Sequence, residues 1–220
     1  MTKTMTKTMT KTIVGLVALG TLLAAPARGA DGKSYFGADV GLTLTSSTKV
    51  EASGGGQSVD GTVKFKTGYR LGLTGGYMIN DNFAVEVETG FSGTSVKSID
   101  GESLDAGEEV SIYQIPVLAN VIWRIPTGMK LKPYVGLGAG MATSILDIKG
   151  TGTPLDATST TIVPAFQALA GIRYDFTDRL GLVAGYKYLY TGSPEWNHLV
   201  NIKLGALKSH QINVGLNYTF

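Results

Sequence analysis

The chain contains no cysteine, which excludes disulfides and thiolate metal sites. Its two histidines, His198 and His210, lack the spacing of a ligand pair, so no metal site is expected. Charge is nearly balanced at +2, and the lysines and arginines are scattered rather than clustered. Nothing in that distribution favours nucleic acid. After residue 30 no apolar run approaches the roughly 20 residues that a membrane-spanning helix needs. No segment keeps a helical period over several turns either. What the chain has in abundance is glycine, 30 of 220 residues, together with stretches that alternate between apolar and polar residues.

The first 29 residues stand apart. A threefold MTKT repeat carries Lys3, Lys7 and Lys11, the apolar run from Ile13 to Ala25 follows, and small residues close the segment. A basic start, a short apolar stretch and a small-residue exit describe a cleaved secretory signal. Cleavage after Ala27 and after Gly29 both fit. The alternative, an uncleaved membrane anchor, is disfavoured because the run is too short to span. The expected organisation is a signal over 1–29 and one domain over 30–220.

In that domain the alternation has period two, the mark of strands with two different faces. It is clearest at the end, where Ile212, Val214, Leu216, Tyr218 and Phe220 oppose Gln211, Asn213, Gly215, Asn217 and Thr219. A slip of one residue would turn every apolar side chain to the wrong side. Seven further segments read the same way, with apolar faces running Phe36 to Leu44, Tyr69 to Tyr77, Phe83 to Phe91, Ile115 to Trp123, Val135 to Met141, Ile162 to Phe176, and Leu180 to Tyr190. Short links at Asn80-Asp81-Asn82, Pro126-Thr127-Gly128 and Thr177-Asp178 are rich in turn formers. Longer polar links are expected near 46–63, 96–108, 149–159 and 192–206. The fold class is therefore all-β, an eight-stranded antiparallel up-and-down transmembrane β-barrel with its tight turns at one end.

Alternation alone does not separate a membrane barrel from a soluble one such as a lipocalin. Three features favour the membrane. The polar faces are rich in glycine and carry charges of both signs, which suits a cramped lumen. Aromatic residues gather near the strand ends, as in interfacial girdles: Tyr77, Phe83, Trp123, Tyr174, Phe176, Tyr218 and Phe220 at the turn end, Tyr188 and Tyr190 towards the loops. A closed barrel also satisfies every backbone polar group internally, which lipid demands.

The run QINVGLNYTF (211–220) resembles the terminal strand of bacterial outer-membrane proteins. The stretches AFQALAGIRYDFTDRLGLVAGYKYLYTG (165–192), PYVGLGAG (133–140) and NDNFAVEVETGF (80–91) are similar to the opacity-type and OmpA-type eight-stranded barrels. The resemblance covers about residues 34–220. It implies the outer membrane of a Gram-negative-type bacterium, surrounding lipid as a partner, and a terminal strand whose Tyr218 and Phe220 are read by the barrel-assembly machinery. It spans adhesins, structural proteins and narrow pores, so it leaves activity open.

The inner faces place Asp39, Glu86, Glu88 and Asp175 against Arg70, Arg124, Lys132, Arg173 and Lys187. These nine groups are expected to form a nearly balanced network, with Glu86, Arg124, Lys132, Arg173 and Asp175 towards the tight turns. The network reads as a plug, because an unpaired ion in a narrow interior is costly, or as the lining of a small pore. Catalysis has little support. Ser209 and His210 are adjacent on a strand and so point to opposite faces. The glycines 136, 138 and 140 lie within a strand and open no helix, which excludes a dinucleotide fingerprint. No cofactor is expected. Trp196, in the last long link, offers a contact for a surface ligand or packs on the barrel rim. The expectation is a non-catalytic barrel with a structural or surface-interaction role that displays four external loops; the alternative is a narrow passive channel for small solutes.

Overall fold

In the computed structural model, residues 34–54, 57–103, 109–149, 157–197 and 201–220 are described. Residues 1–29, expected to be a signal with cleavage after Ala27 or Gly29, and His198 lie outside them. Thirteen strands follow in order: β1 (Ser34–Thr45), β2 (Thr48–Gly54), β3 (Gln57–Phe65), β4 (Gly68–Met78), β5 (Phe83–Ile99), β6 (Glu102–Ser103), β7 (Glu109–Arg124), β8 (Leu131–Lys149), β9 (Ala157–Asp175), β10 (Leu180–Thr191), β11 (Glu195–Asn197), β12 (Asn201–Leu204) and β13 (Leu207–Thr219).

Eight of these close the barrel. The antiparallel ring runs β1, β4, β5, β7, β8, β9, β10, β13 and back to β1. Val40, for example, faces Leu71 of β4 on one side and Val214 of β13 on the other. The register puts apolar side chains outside everywhere: Val40, Leu71, Val121, Leu137, Ile162 and Ile212 are all exposed. Outward apolar residues from Phe36 to Leu44 on β1, and from Phe220 to Ile212 across β13, form the band that meets lipid.

The three tight turns are held by their own side chains. Asn80 Oδ1 accepts from the backbone N–H of Asn82 and Phe83 at 2.9 and 2.8 Å, and Thr177 Oγ1 accepts from Leu180 N–H at 2.9 Å. Thr127 Oγ1 donates to the Leu131 carbonyl at 2.8 Å. These short local bonds substitute for the ladder where the chain reverses.

The opposite end corrects the expected loops. Among the described residues of those links, 48–54, 57–63, 96–99, 102–103, 149, 157–159, 195–197 and 201–204 are strand. β2 and β3 form a hairpin, β12 adds to β2 and β11 to β12, while β5, β8 and β9 continue well beyond the lipid-facing band. Brief interruptions at 46–47, 66–67, 192–194 and 205–206 separate this raised sheet from the barrel strands beneath it. Asp100 and Gly101 both adopt positive φ, 49° and 89°, and turn β5 tightly into β6. These segments read as loops by composition, yet their inner face is mostly apolar, with Val63, Val96, Trp196 and Leu204 buried beside the polar Thr48 and Ser98.

Candidate functional site

The lumen is filled in layers. At its middle, Glu88 of β5 collects groups from four other strands. Arg70 (β4) donates to Glu88 Oε1 and also pairs with Asp39 (β1). Lys187 (β10) reaches Glu88 Oε1 at 2.7 Å. Asn120 (β7) and Gln167 (β9) donate to Oε2 at 3.1 and 2.8 Å, and Gln167 also donates to Asn120 Oδ1 at 2.8 Å. Because β10 stands opposite β5 in the ring and β9 lies next to β10, the bonds from Lys187 and Gln167 cross the lumen rather than run along its wall. Glu88 is 1% exposed and Arg70 3%. A carboxylate so deeply buried is tolerable only with charge-assisted partners on both oxygens, and here each oxygen has two. Gly72 makes the arrangement possible, since a Cβ there would collide with the Asp39 carboxylate and approach the Arg70 guanidinium.

The nine charged positions do not form one network. Asp39, Arg70, Glu88 and Lys187 make up the central group. Nearer the turns, Asp175 binds Arg173 Nε at 2.5 Å and Lys132 Nζ at 2.8 Å, while Arg173 Nη2 donates to Thr219 Oγ1 at 3.2 Å. Glu86 and Arg124 meet through an aromatic ring instead. Tyr35 donates its hydroxyl to Glu86 Oε1 at 2.5 Å, and the Arg124 guanidinium lies 5.0 Å from the centre of the Tyr35 ring. The turn end therefore holds two clusters, and the neutral residues Tyr35, Asn120, Gln167 and Thr219 complete what the charges alone cannot.

Above the central layer the lumen turns apolar, which alternation did not show. Leu118, Ala142, Val163, Ala165 and Leu189 form one buried cluster. Gln114 reaches across beside it to Thr191 Oγ1 at 3.0 Å. A second cluster, Val63, Val96, Ile112, Leu146, Trp196, Leu204 and Leu207, fills the space inside the raised sheet. A sequence signal was available for Leu118, in the unbroken apolar run Val117-Leu118-Ala119, the mark of a strand buried on both faces. The run Val121-Ile122-Trp123 marks Ile122 in the same way, but that residue packs with Tyr35, Ala84 and Leu169 nearer the turns.

Of the two readings of Trp196, the surface contact is corrected and the side chain packs inward. It is 3% exposed, sits within the upper cluster, and donates its indole N–H to the Ser144 carbonyl at 3.3 Å. His210 lies on the outer face, where its Nδ1 is 2.6 Å from the Tyr186 hydroxyl and its ring 5.3 Å from that of Tyr188. Ser209 is buried on the inner face, so the two neighbours do point apart. Among the described residues, no group of three or more His, Cys, Asp or Glu side chains is placed to hold a metal.

Open space lies at the turn end. A cavity of about 50 Å³ is bounded by Asp39, Glu86, Arg124, Tyr134, Arg173 and Asn213 among others. Below it a vestibule of about 620 Å³ is lined by the tight turns and shares Arg124, Lys132 and Arg173 with the cavity. Two buried atoms, Arg173 Nη1 and Asn213 Oδ1, have no hydrogen-bond partner among the described residues, and the cavity their residues line has room for water.

A closed antiparallel ring, apolar outside and ionic inside, defines a transmembrane β-barrel. The chain belongs to the outer membrane protein beta-barrel domain family, whose model matches residues 14–220, and its location is the outer membrane. Among solved structures it is similar to OprG from Pseudomonas aeruginosa, at 15% identity and a TM-score of 0.63 over 86% of this chain and 96% of that one. It is also similar to Neisserial surface protein A, at 21% identity and a TM-score of 0.53 over 86% of this chain and 99% of that one. Both likenesses concern the fold. The search of curated proteins returns no significant match.

Proposed function

We propose that this protein is a closed, non-catalytic barrel that reinforces the outer membrane and presents its raised sheet and external loops at the surface. The observation that carries this reading is the set of bonds converging on Glu88. Groups from five strands meet across the lumen, and two apolar clusters lie above them. An eight-stranded barrel has an interior that side chains can fill, and these side chains fill it. A surface ligand would be met by the raised sheet, and the terminal strand ending in Tyr218 and Phe220 would be read by the assembly machinery. Removal of residues 1–29 on export belongs to the same reading and is checked by the mass of the protein recovered from membranes.

The test is conductance of the purified barrel in a planar bilayer. A closed lumen gives no steady current. Steady, solute-sensitive current would favour the second reading, a narrow passive channel, for which the turn-end cavity and its vestibule supply the entrance.

A further inference from the structure

The outer surface is not evenly charged where the raised sheet meets the lipid-facing band. Lys49 (β2), Lys64 (β3), Lys66 just after β3, Lys97 (β5) and Lys208 (β13) are all exposed. Their faces follow from their neighbours. Thr48, Val63, Val96 and Leu207 are buried inside, so the next residue along each strand points out. Lys66 follows Lys64 at the strand period, and Lys208 pairs with Tyr190 two residues above His210. None of the five has an ion-pair partner among the described residues. Of the acids on this face, Glu51 and Asp60 stand farther from the membrane and lie in register with Lys203 and with each other. Asp100, level with Lys49, is held by the Thr62 backbone N–H at 2.7 Å and makes no ion pair with the five lysines among the described residues.

The lysines occupy the neighbouring strand columns β13, β1–β2, β3–β4 and β5, which span about 14 Å at the usual strand spacing. Directly below them run the outward apolar residues Leu42, Leu44, Tyr69, Leu71 and Ile212. The far side of the barrel differs. On β8 the outward cation Lys149 is already paired with Asp147 at 3.5 Å. A molecule matching this one-sided surface has anionic groups at the height of the lysines and hydrocarbon below.

We propose that this face is a binding site for a phosphorylated lipid of the outer leaflet, with the five lysines holding its phosphates and the apolar residues beneath holding its chains. A cation near an anionic membrane surface strengthens binding by roughly fivefold for each charge. The site is independent of whether the lumen conducts.

The experiment uses the folded barrel in phosphatidylcholine vesicles and measures partitioning of fluorescent bis-phosphorylated lipid A to it. Lys66→Gln, Lys97→Gln and Lys208→Gln should each weaken retention by about fivefold, and their combination by about a hundredfold. Lys149→Gln should leave it unchanged, and dephosphorylated lipid A should be retained no better than bulk lipid. A heat-modifiability gel on each variant confirms that the barrel is closed. The proposal is overturned if the triple variant retains lipid A like the parent, if the dephosphorylated form binds equally well, or if inorganic phosphate alone displaces the lipid.

Discussion

The indole N–H of Trp196 lies 3.3 Å from the carbonyl oxygen of Ser144, joining the short strand β11 to β8. Between them stands the upper part of β9, which pairs with β8 and touches β11 without forming a ladder to it. Trp196 thus bridges a place where the wall lacks continuous backbone pairing.

Replacing it should loosen the external end. Trp196→Ala is expected to cost about 3–5 kcal/mol, the usual range for emptying a buried tryptophan site. Trp196→Phe should cost less, since the packing survives and only the indole bond is lost. Urea unfolding in vesicles gives the energies, and limited proteolysis should show new cutting in the external segments of the alanine variant alone.

Glu88 is the most exacting position in the lumen. Glu88→Ala leaves Arg70 and Lys187 buried beside one another with only Asp39 to balance them. The expected loss is about 3–5 kcal/mol. Adding Lys187→Met removes one of the stranded charges and should recover part of that loss. Unfolding midpoints for the single and double variants decide the point, and a double variant no better than the single would show that the two residues are not coupled.

On the outer face, Leu137 is 70% exposed midway along the apolar part of β8. Leu137→Lys should reduce stability by about 2–4 kcal/mol in lipid, the depth-dependent cost of a lysine near the bilayer centre. Lys64→Leu, beyond the apolar band, should have little effect on the same measurement.

The terminal aromatics allow assembly and stability to be separated. Tyr218 and Phe220 pack edge to face, their centroids 5.3 Å apart, on the lipid-facing side of the turn end. Phe220→Ala should refold into vesicles almost as well as the parent, yet accumulate poorly in the outer membrane of cells. Equal amounts in both settings would remove the terminal aromatic from any role as an assembly signal.

The faces of the strands were legible from the chain alone. A residue such as Val214 or Leu137 carries its side of the sheet in its parity, and lipid outside and a crowded lumen inside demand opposite chemistries of that parity. The same holds for the tight turns, where Asn80 and Thr177 satisfy the backbone within three residues. The central site was only partly legible. Parity placed Glu88 and Lys187 on the inner face, but they are 99 residues apart in sequence. Their meeting depends on closure of the ring and on the stagger of every register between them. For Trp196 the chain left two readings open, a surface contact or packing on the rim, for a related reason. Set among Pro194, Glu195 and Asn197 it has the composition of an exposed loop, and only the stacking of β11 on β12 and of β12 on β2 turns its ring inward. Local alternation determined which side each residue faces; tertiary closure decided which residues meet there, because contacts across a lumen depend on the whole circumference.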